Sequence, residues 1–239
     1  MIPHPSHRPP AAARVFLSGA PGTAALAEHV LSTGHGRWWT DRADRPRVVA
    51  VTCGGHALLA GDPSAITPDE LSPLARHYIE TPGRFVPVLG AAFERLVPCE
   101  RMLYVHHGPA IAPRLPRGVT VRRITPEDAP ALAASGLGWI ATRRGRVLAV
   151  ACSRFLGSRY EDVACATAPD ERRQHLALAC VTGLTADIAA RGHRAGWSCS
   201  RDNRPSRLLA WTAGFRLTRE YVHHVAGPVS QASKVAEAA

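Results

Sequence analysis

The chain has 239 residues, 46% of them hydrophobic and 20% charged, which excludes wholesale disorder and allows one large domain or two small ones. Its formal charge is +10, but every basic residue except Lys234 is arginine and the arginines are scattered, with no run of five. Nucleic-acid binding normally needs a basic stripe or a recognisable module, so it stands only as a rival reading carried by charge. No apolar run approaches the ~18 residues of a membrane span, and the N-terminus lacks a signal-peptide pattern. A soluble cytoplasmic protein is the expectation, with no membrane partner.

Residues 1–14 and 226–239 are rich in Pro, Ala and Ser and are expected to be disordered. Thr23–Leu31 reads as a helix, followed by strands near Arg37–Thr40, Arg47–Thr52 and His56–Ala60. Thr67-Pro68-Asp69-Glu70 is a capping box with proline at the first helical position, which predicts a helix running toward Tyr78. Pro109–Arg117 divides an N-terminal region, 15–115, from a second region, 116–225. Thr125-Pro126-Glu127-Asp128 repeats the capping chemistry before a helix over 129–134.

The second region alternates more legibly. Strands are expected over Val119–Arg123, Trp139–Thr142, Val147–Phe155 and Tyr160–Thr167. A long helix then spans Arg172–Ala190, with Leu176, Cys180, Leu184 and Ile188 forming an apolar stripe. Gly196–Ser200 is a strand, Asp202 or Asn203 caps a helix through Trp211, and Phe215–His223 is the last strand. Early hairpins and a later crossover imply an α/β fold with a mixed, mostly antiparallel sheet flanked by helices. None of the six cysteines has CxxC spacing, and the neighbours His106–His107 and His223–His224 point to opposite strand faces. No metal site is expected.

Chemistry concentrates in Thr167-Ala168-Pro169-Asp170-Glu171-Arg172-Arg173-Gln174-His175-Leu176-Ala177. A strand ends, the chain turns, and a helix begins among arginines. The first N–H groups of a helix lack internal partners and carry the positive end of its dipole, so this is a phosphate cradle in outline. On the preceding strand, Glu161 and Asp162 are the acidic candidates for a base, and only one of them can face a cleft.

The string resembles the T-x-P-x-x-R-x-x-G-L-A motif of the GNAT acetyltransferases, and Trp197–Ser200, Asn203, Ser206 and Gly214-Phe215 follow at that family's intervals. Upstream, Arg37–Asp41 through Ala60–Pro63 is similar to the N-terminal half of zwittermicin-type antibiotic-resistance members. The resemblance implies a GNAT-like core over 116–225 beside an acceptor-shaping N-terminal half. It also implies acetyl-CoA as acyl donor and a small-molecule amine as acceptor; a homodimer is an assembly that the sequence leaves open. The implied cofactor residues are Cys165, Ala166, Thr167, Arg172, Arg173, Gln174, His175, Leu176, Ala177, Asn203 and Ser206. Asp162 matches the family's acidic position better than Glu161.

Two departures stand out. Arg173 and His175 occupy positions where glycine is common in the family. Ala210 occupies the position of a frequent tyrosine general acid, which leaves Tyr221 on the last strand as substitute. These departures motivate a rival reading, a degenerate GNAT fold that binds an acyl-CoA or a partner without turnover.

Overall fold

A computed structural model describes residues 1–108, 113–128 and 137–227. In chain order the described residues form β1 (Ile2–His4), α1 (Thr23–Thr33), β2 (Arg37–Thr40), β3 (Val48–Cys53), β4 (His56–Gly61), β5 (Tyr78–Glu80), α2 (Val86–Ala92) and β6 (Leu96–His106). Then come β7 (Thr120–Arg123), β8 (Gly138–Arg143), β9 (Arg146–Leu156), β10 (Tyr160–Thr167), α3 (Leu176–Ala190), β11 (Arg194–Ser200), α4 (Arg204–Thr212) and β12 (Phe215–Ala226). The twelve strands make one sheet, ordered β1-β2-β3-β4-β5-β12-β6-β11-β10-β9-β8-β7. Only β4–β5 and β10–β11 pair in parallel.

Burial explains the layers. β3 is buried along nearly its whole length because both faces are covered. Val49 and Val51 meet Leu26 and Val30 of α1, while Val48 and Ala50 meet Leu71, Leu74 and Phe85 on the other side. Around α3 the apolar stripe Leu176, Cys180, Leu184 and Ile188 is buried as its spacing predicts, against β8–β11. The expected division near residue 115 does not divide the sheet: β6 lies between β11 and β12, and β12 also pairs with β5.

Several expectations change. Residues 1–14 are not disordered, since Ile2–His4 pairs with β2. The capping box at Thr67 forms, with the Glu70 carboxylate accepting from the Thr67 backbone N–H at 2.8 Å. The helix it opens is a short 3₁₀ segment, Asp69–Leu74, because Pro73 inside it has no N–H to donate; Tyr78 already belongs to β5. The box at Thr125 likewise starts a 3₁₀ turn, Pro126–Asp128, while the helix expected over 129–134 and the tail over 228–239 lie outside the described residues. The long helix begins at Leu176, not at Arg172, and α2, β5 and β6 were not anticipated from the sequence.

One glycine sets how closely α3 approaches the sheet. A Cβ on Gly183 would lie 2.5 Å from the Trp139 ring, and that ring is fixed by its indole N–H donating to Asp187 at 2.9 Å. Gly183→Ala gains up to ~1 kcal/mol of helix propensity, but overpacking a fixed ring costs ~1–3 kcal/mol. The expected outcome is a net loss of stability, read as a lower midpoint in urea.

Candidate active site

The site is built around a fork in the sheet. β10 and β11 pair in parallel from Tyr160↔Arg194 to Val163↔Trp197 and then part. Beyond that point β10 stays with β9 as far as Thr167↔Ala149, and β11 stays with β6 as far as Ser200↔Arg101. The facing backbone groups of 164–167 and 198–200 are therefore without ladder partners across the gap.

A cavity of about 660 Å³ opens at the fork. Cys165, Ala166 and Thr167 line one wall, Asn203 and Ser206 the other, and Arg172, Arg173, His175, Leu176 and Ala177 its end. Ten of the eleven anticipated cofactor residues thus meet in one place. Gln174 does not: its amide donates to Glu171 at 2.9 Å and its carbonyl accepts from Arg143, which holds the loop from outside the cavity.

Local chemistry explains each wall. Pro169 ends β10 and starts a 3₁₀ turn, Pro169–Glu171. Arg173 and His175 then adopt left-handed backbone, φ +63° and +60°, with His175 as the cap residue of α3. No side chain caps α3, so the N–H groups of Leu176 to Leu178 stay available at the positive end of the helix. Across the cavity Asn203 caps α4 by accepting from the Ser206 N–H at 3.1 Å, and the Ser206 hydroxyl accepts from the Trp197 indole at 3.0 Å. Burial pushes the Cys165 thiol up to about 12, which leaves it a packing group and not a nucleophile.

Glu161 and Asp162 are both buried, on opposite faces. Glu161 accepts from Ser153 at 2.5 Å and from Arg191 at 3.0 and 2.8 Å, and lies 2.9 Å from His193. Burial alone would raise its pKa, but these partners outweigh it and hold the carboxyl below its usual range. Its contacts with Arg191 and His193 tie the end of α3 to the sheet and that with Ser153 ties β10 to β9, so this carboxylate is engaged on the α3 face, opposite the one Asp162 faces.

Asp162 faces a small chamber on the other side. Arg154 donates to its Oδ2 from Nε at 2.9 Å and Nη2 at 2.5 Å, and Ser198 donates to Oδ1 at 3.3 Å. Tyr221 lines the same chamber, and burial raises the pKa of its phenol. His56, Arg101, Phe155 and His223 complete the walls, and Gly22, the cap residue before α1, and Leu26 of α1 cover them. Glu28 of α1 fixes this cover, accepting from the Ser158 N–H at 2.6 Å in the β9–β10 turn.

Arg154 reaches the chamber through a bulge. Phe155 pairs with Asp162 and Ser153 with Val163, so Arg154 is the extra residue on β9. A bulge re-aims a side chain that strict alternation would send to the other face. Sequence reasoning missed Arg154, Ser198, His56 and Arg101. The Gly157-Ser158 turn signals a hairpin that brings Arg154 near 162–163, but its face depends on the bulge, which the turn does not reveal.

A β10–β11 fork flanked by an uncapped helix start is an arrangement that suits an acetyltransferase fold. Comparison with known proteins agrees. The GNAT acetyltransferase family profile matches residues 127–224. A Streptomyces virginiae protein described as an uncharacterized N-acetyltransferase in the mutA 5′ region is 56% identical over 214 residues, covering 81% of this chain and 90% of that one. The chain belongs to the GNAT family of N-acetyltransferases. In fold it is similar to a GCN5-related N-acetyltransferase-like protein from Streptococcus suis, with TM-score 0.70 and 18% identity over 90% of this chain and 96% of that one. A GCN5-related N-acetyltransferase from Kribbella flavida gives TM-score 0.57 and 17% identity over 91% and 96% of the two chains.

The chamber's histidine makes stability depend on pH. Burial, and then the charge on Arg154, push the His56 pKa well below 6.5. Unfolded His56 takes up a proton near 6.5 and folded His56 does not, so the unfolded state binds more protons as pH falls. Stability is then complete above that value and declines below it, by up to ~1.4 kcal/mol per pH unit for one histidine. His29, also depressed by burial, adds in the same direction. Denaturant melts from about pH 7.5 to 5.5 should show this slope, and His56→Gln should remove one histidine's share.

Proposed function

We propose that the chain transfers the acetyl group of acetyl-CoA to the amine of a small molecule, in the cytoplasm. The observation that carries this is the fork and its cavity, where unpaired β10 backbone runs directly into the helix start of α3. The fit is chemical: the edge of 164–167 offers amide groups to a pantetheine arm, and the N–H groups of Leu176 to Leu178, with Arg172, Arg173 and His175, suit a pyrophosphate. The small-molecule acceptor follows the resemblance to zwittermicin-type members.

Bound acetyl-CoA would supply an activated acyl group; the chain supplies position and proton traffic. Asp162 lies three residues from Cys165, about 10 Å along the strand, at the point where the fork closes. It accepts the proton that an ammonium group must lose before attack. Tyr221, whose raised pKa keeps the phenol protonated at neutral pH, donates to the departing thiolate sulfur. The ammonium's first proton passes from Asp162 to solvent, and the second, which the nitrogen sheds as the amide forms, replaces the one Tyr221 gave to sulfur; Ser198 orients Asp162 by donating to its Oδ1.

This assignment separates two adjacent carboxylates. Asp162→Asn should lower turnover by ~10²–10⁴-fold with acetyl-CoA affinity nearly unchanged. Glu161→Gln should leave turnover of the folded protein intact and lower stability by ~2–3 kcal/mol, because Arg191 loses a buried partner. The reverse pattern would reassign the base. Arg172→Ala, at an exposed position, should weaken acetyl-CoA binding by ~1 kcal/mol, measured by calorimetry.

A non-catalytic binder is the second reading, favoured by Ala210, which is fully buried at the family's tyrosine position, and by the Arg154 clamp on Asp162. Calorimetry with acetyl-CoA, followed by a free-thiol assay over a panel of primary amines, tests both readings. Binding with thiol release supports the transferase; binding without release for any amine supports the second reading; no binding ends the transferase and leaves the second reading only as a fold that binds a different acyl-CoA or a partner.

A further inference from the structure

A second cavity, of about 390 Å³, adjoins the first, with Glu171 in the lining of both. Beside Gly118 and Leu148, its other walls are arginines: Arg117 from the segment before β7, Arg143 and Arg144 from the end and turn of the β8–β9 hairpin, and Arg146 from β9. The carboxylates within reach are already engaged. Glu171 takes Arg143 at 3.3 Å and the Gln174 amide at 2.9 Å, and Asp170 takes Arg146 at 2.6 Å. Arg117 and Arg144 have no ion pair among the described residues. Four guanidiniums against two carboxylates leave two positive charges around one hollow.

The hairpin turn carries a further cost. Arg144 and Gly145 both have left-handed backbone, φ +51° and +79°, the pattern of a turn whose first central position favours Asn, Asp or Gly. An arginine there is held in a backbone conformation that L side chains rarely adopt, and it lines the cavity.

We propose that this cavity binds a phosphate monoester, and that its source is the 3′-phosphate of the coenzyme A donor. The inference rests on the acetyl-CoA reading. A pyrophosphate at Leu176 to Leu178 is esterified to the ribose that bears the 3′-phosphate, so the monoester lies one sugar away, on a loop shared by both cavities. A phosphate monoester carries close to two negative charges at neutral pH, which matches the unneutralised pair of guanidiniums. The assignment makes Arg117 and Arg144 specificity residues for the donor.

The test is calorimetry with coenzyme A and with 3′-dephospho-coenzyme A, on the wild type and on an Arg117→Ala/Arg144→Ala double variant. Both positions are exposed, and the variant's affinity for the dephospho form reports whether its site is intact. The wild type should prefer coenzyme A by about tenfold or more, and the variant should lose that preference with its dephospho affinity unchanged. Equal affinities in the wild type, or a preference that survives in the variant, would overturn the proposal while leaving the acetyl-CoA reading standing. If neither ligand binds the wild type, that reading falls and takes the proposal with it. Inorganic phosphate serves as the competing source: if the wild type binds it at low millimolar concentration through Arg117 and Arg144 yet shows no preference for coenzyme A, the cavity is a free-phosphate site and the assignment to the donor fails.

Discussion

The register between β9 and β10 governs almost everything else in the site. With Arg154 as the extra residue, Ser153 faces α3 and joins Glu161, while Arg154 and Phe155 face α1 and join Asp162. A regular ladder would have placed the guanidinium on the α3 face and left the Asp162 carboxylate buried with far less compensation. The same offset divides labour between two neighbouring acids. Glu161 spends its hydrogen bonds on holding α3, and through α3 on holding the helix start that faces the cavity. Asp162 spends its own on the chamber.

A second irregularity does the equivalent work on β12. Leu217 pairs with Tyr104 and Arg219 with Leu103, so Thr218 is extra and the faces exchange. Tyr221 and His223 consequently share a face with Arg101 and Leu103, which is the face of Ser198 and Asp162. Without that exchange the phenol would point into the core around α3 and α4. Two single-residue insertions thus bring together groups that lie 120 positions apart in the chain, and bulges at such places are features of a working site and not defects.

These insertions also mark where the sequence stops being readable. Period-two alternation located β2, β8, β9 and β10 to within two residues, and the stripe on α3 was fully legible. Parity across a bulge is not: one extra residue reverses the face of every residue beyond it, and local composition does not announce it. That is why Tyr221 could be named but not placed, and why Arg154 was missed. β6 escaped notice because Pro98, Glu100 and Arg101 interrupt its alternation, although Met102 to Val105 lie at the centre of the sheet. The cavity wall at the start of α3 was more legible because its signal is local, a strand end followed by a proline turn and a helix start.

The arginine content, uninformative as a bulk property, acquires meaning once the ion pairs are located. Arg154 and Arg191 serve buried carboxylates, Arg123 holds Asp187 beside Trp139, and Arg143 and Arg146 hold the acidic turn before α3. That last pair explains how Arg173 and His175 can occupy left-handed backbone where glycine would be at ease. Each such residue costs ~1–2 kcal/mol locally, and a loop tied at Asp170, Glu171 and Gln174 has little freedom to relax away from that geometry. The turn before α3 is therefore imposed by the hairpin beside it more than by its own sequence. A motif read for its glycines alone would underrate this chain, because here the conformation that glycine would permit is enforced by charge.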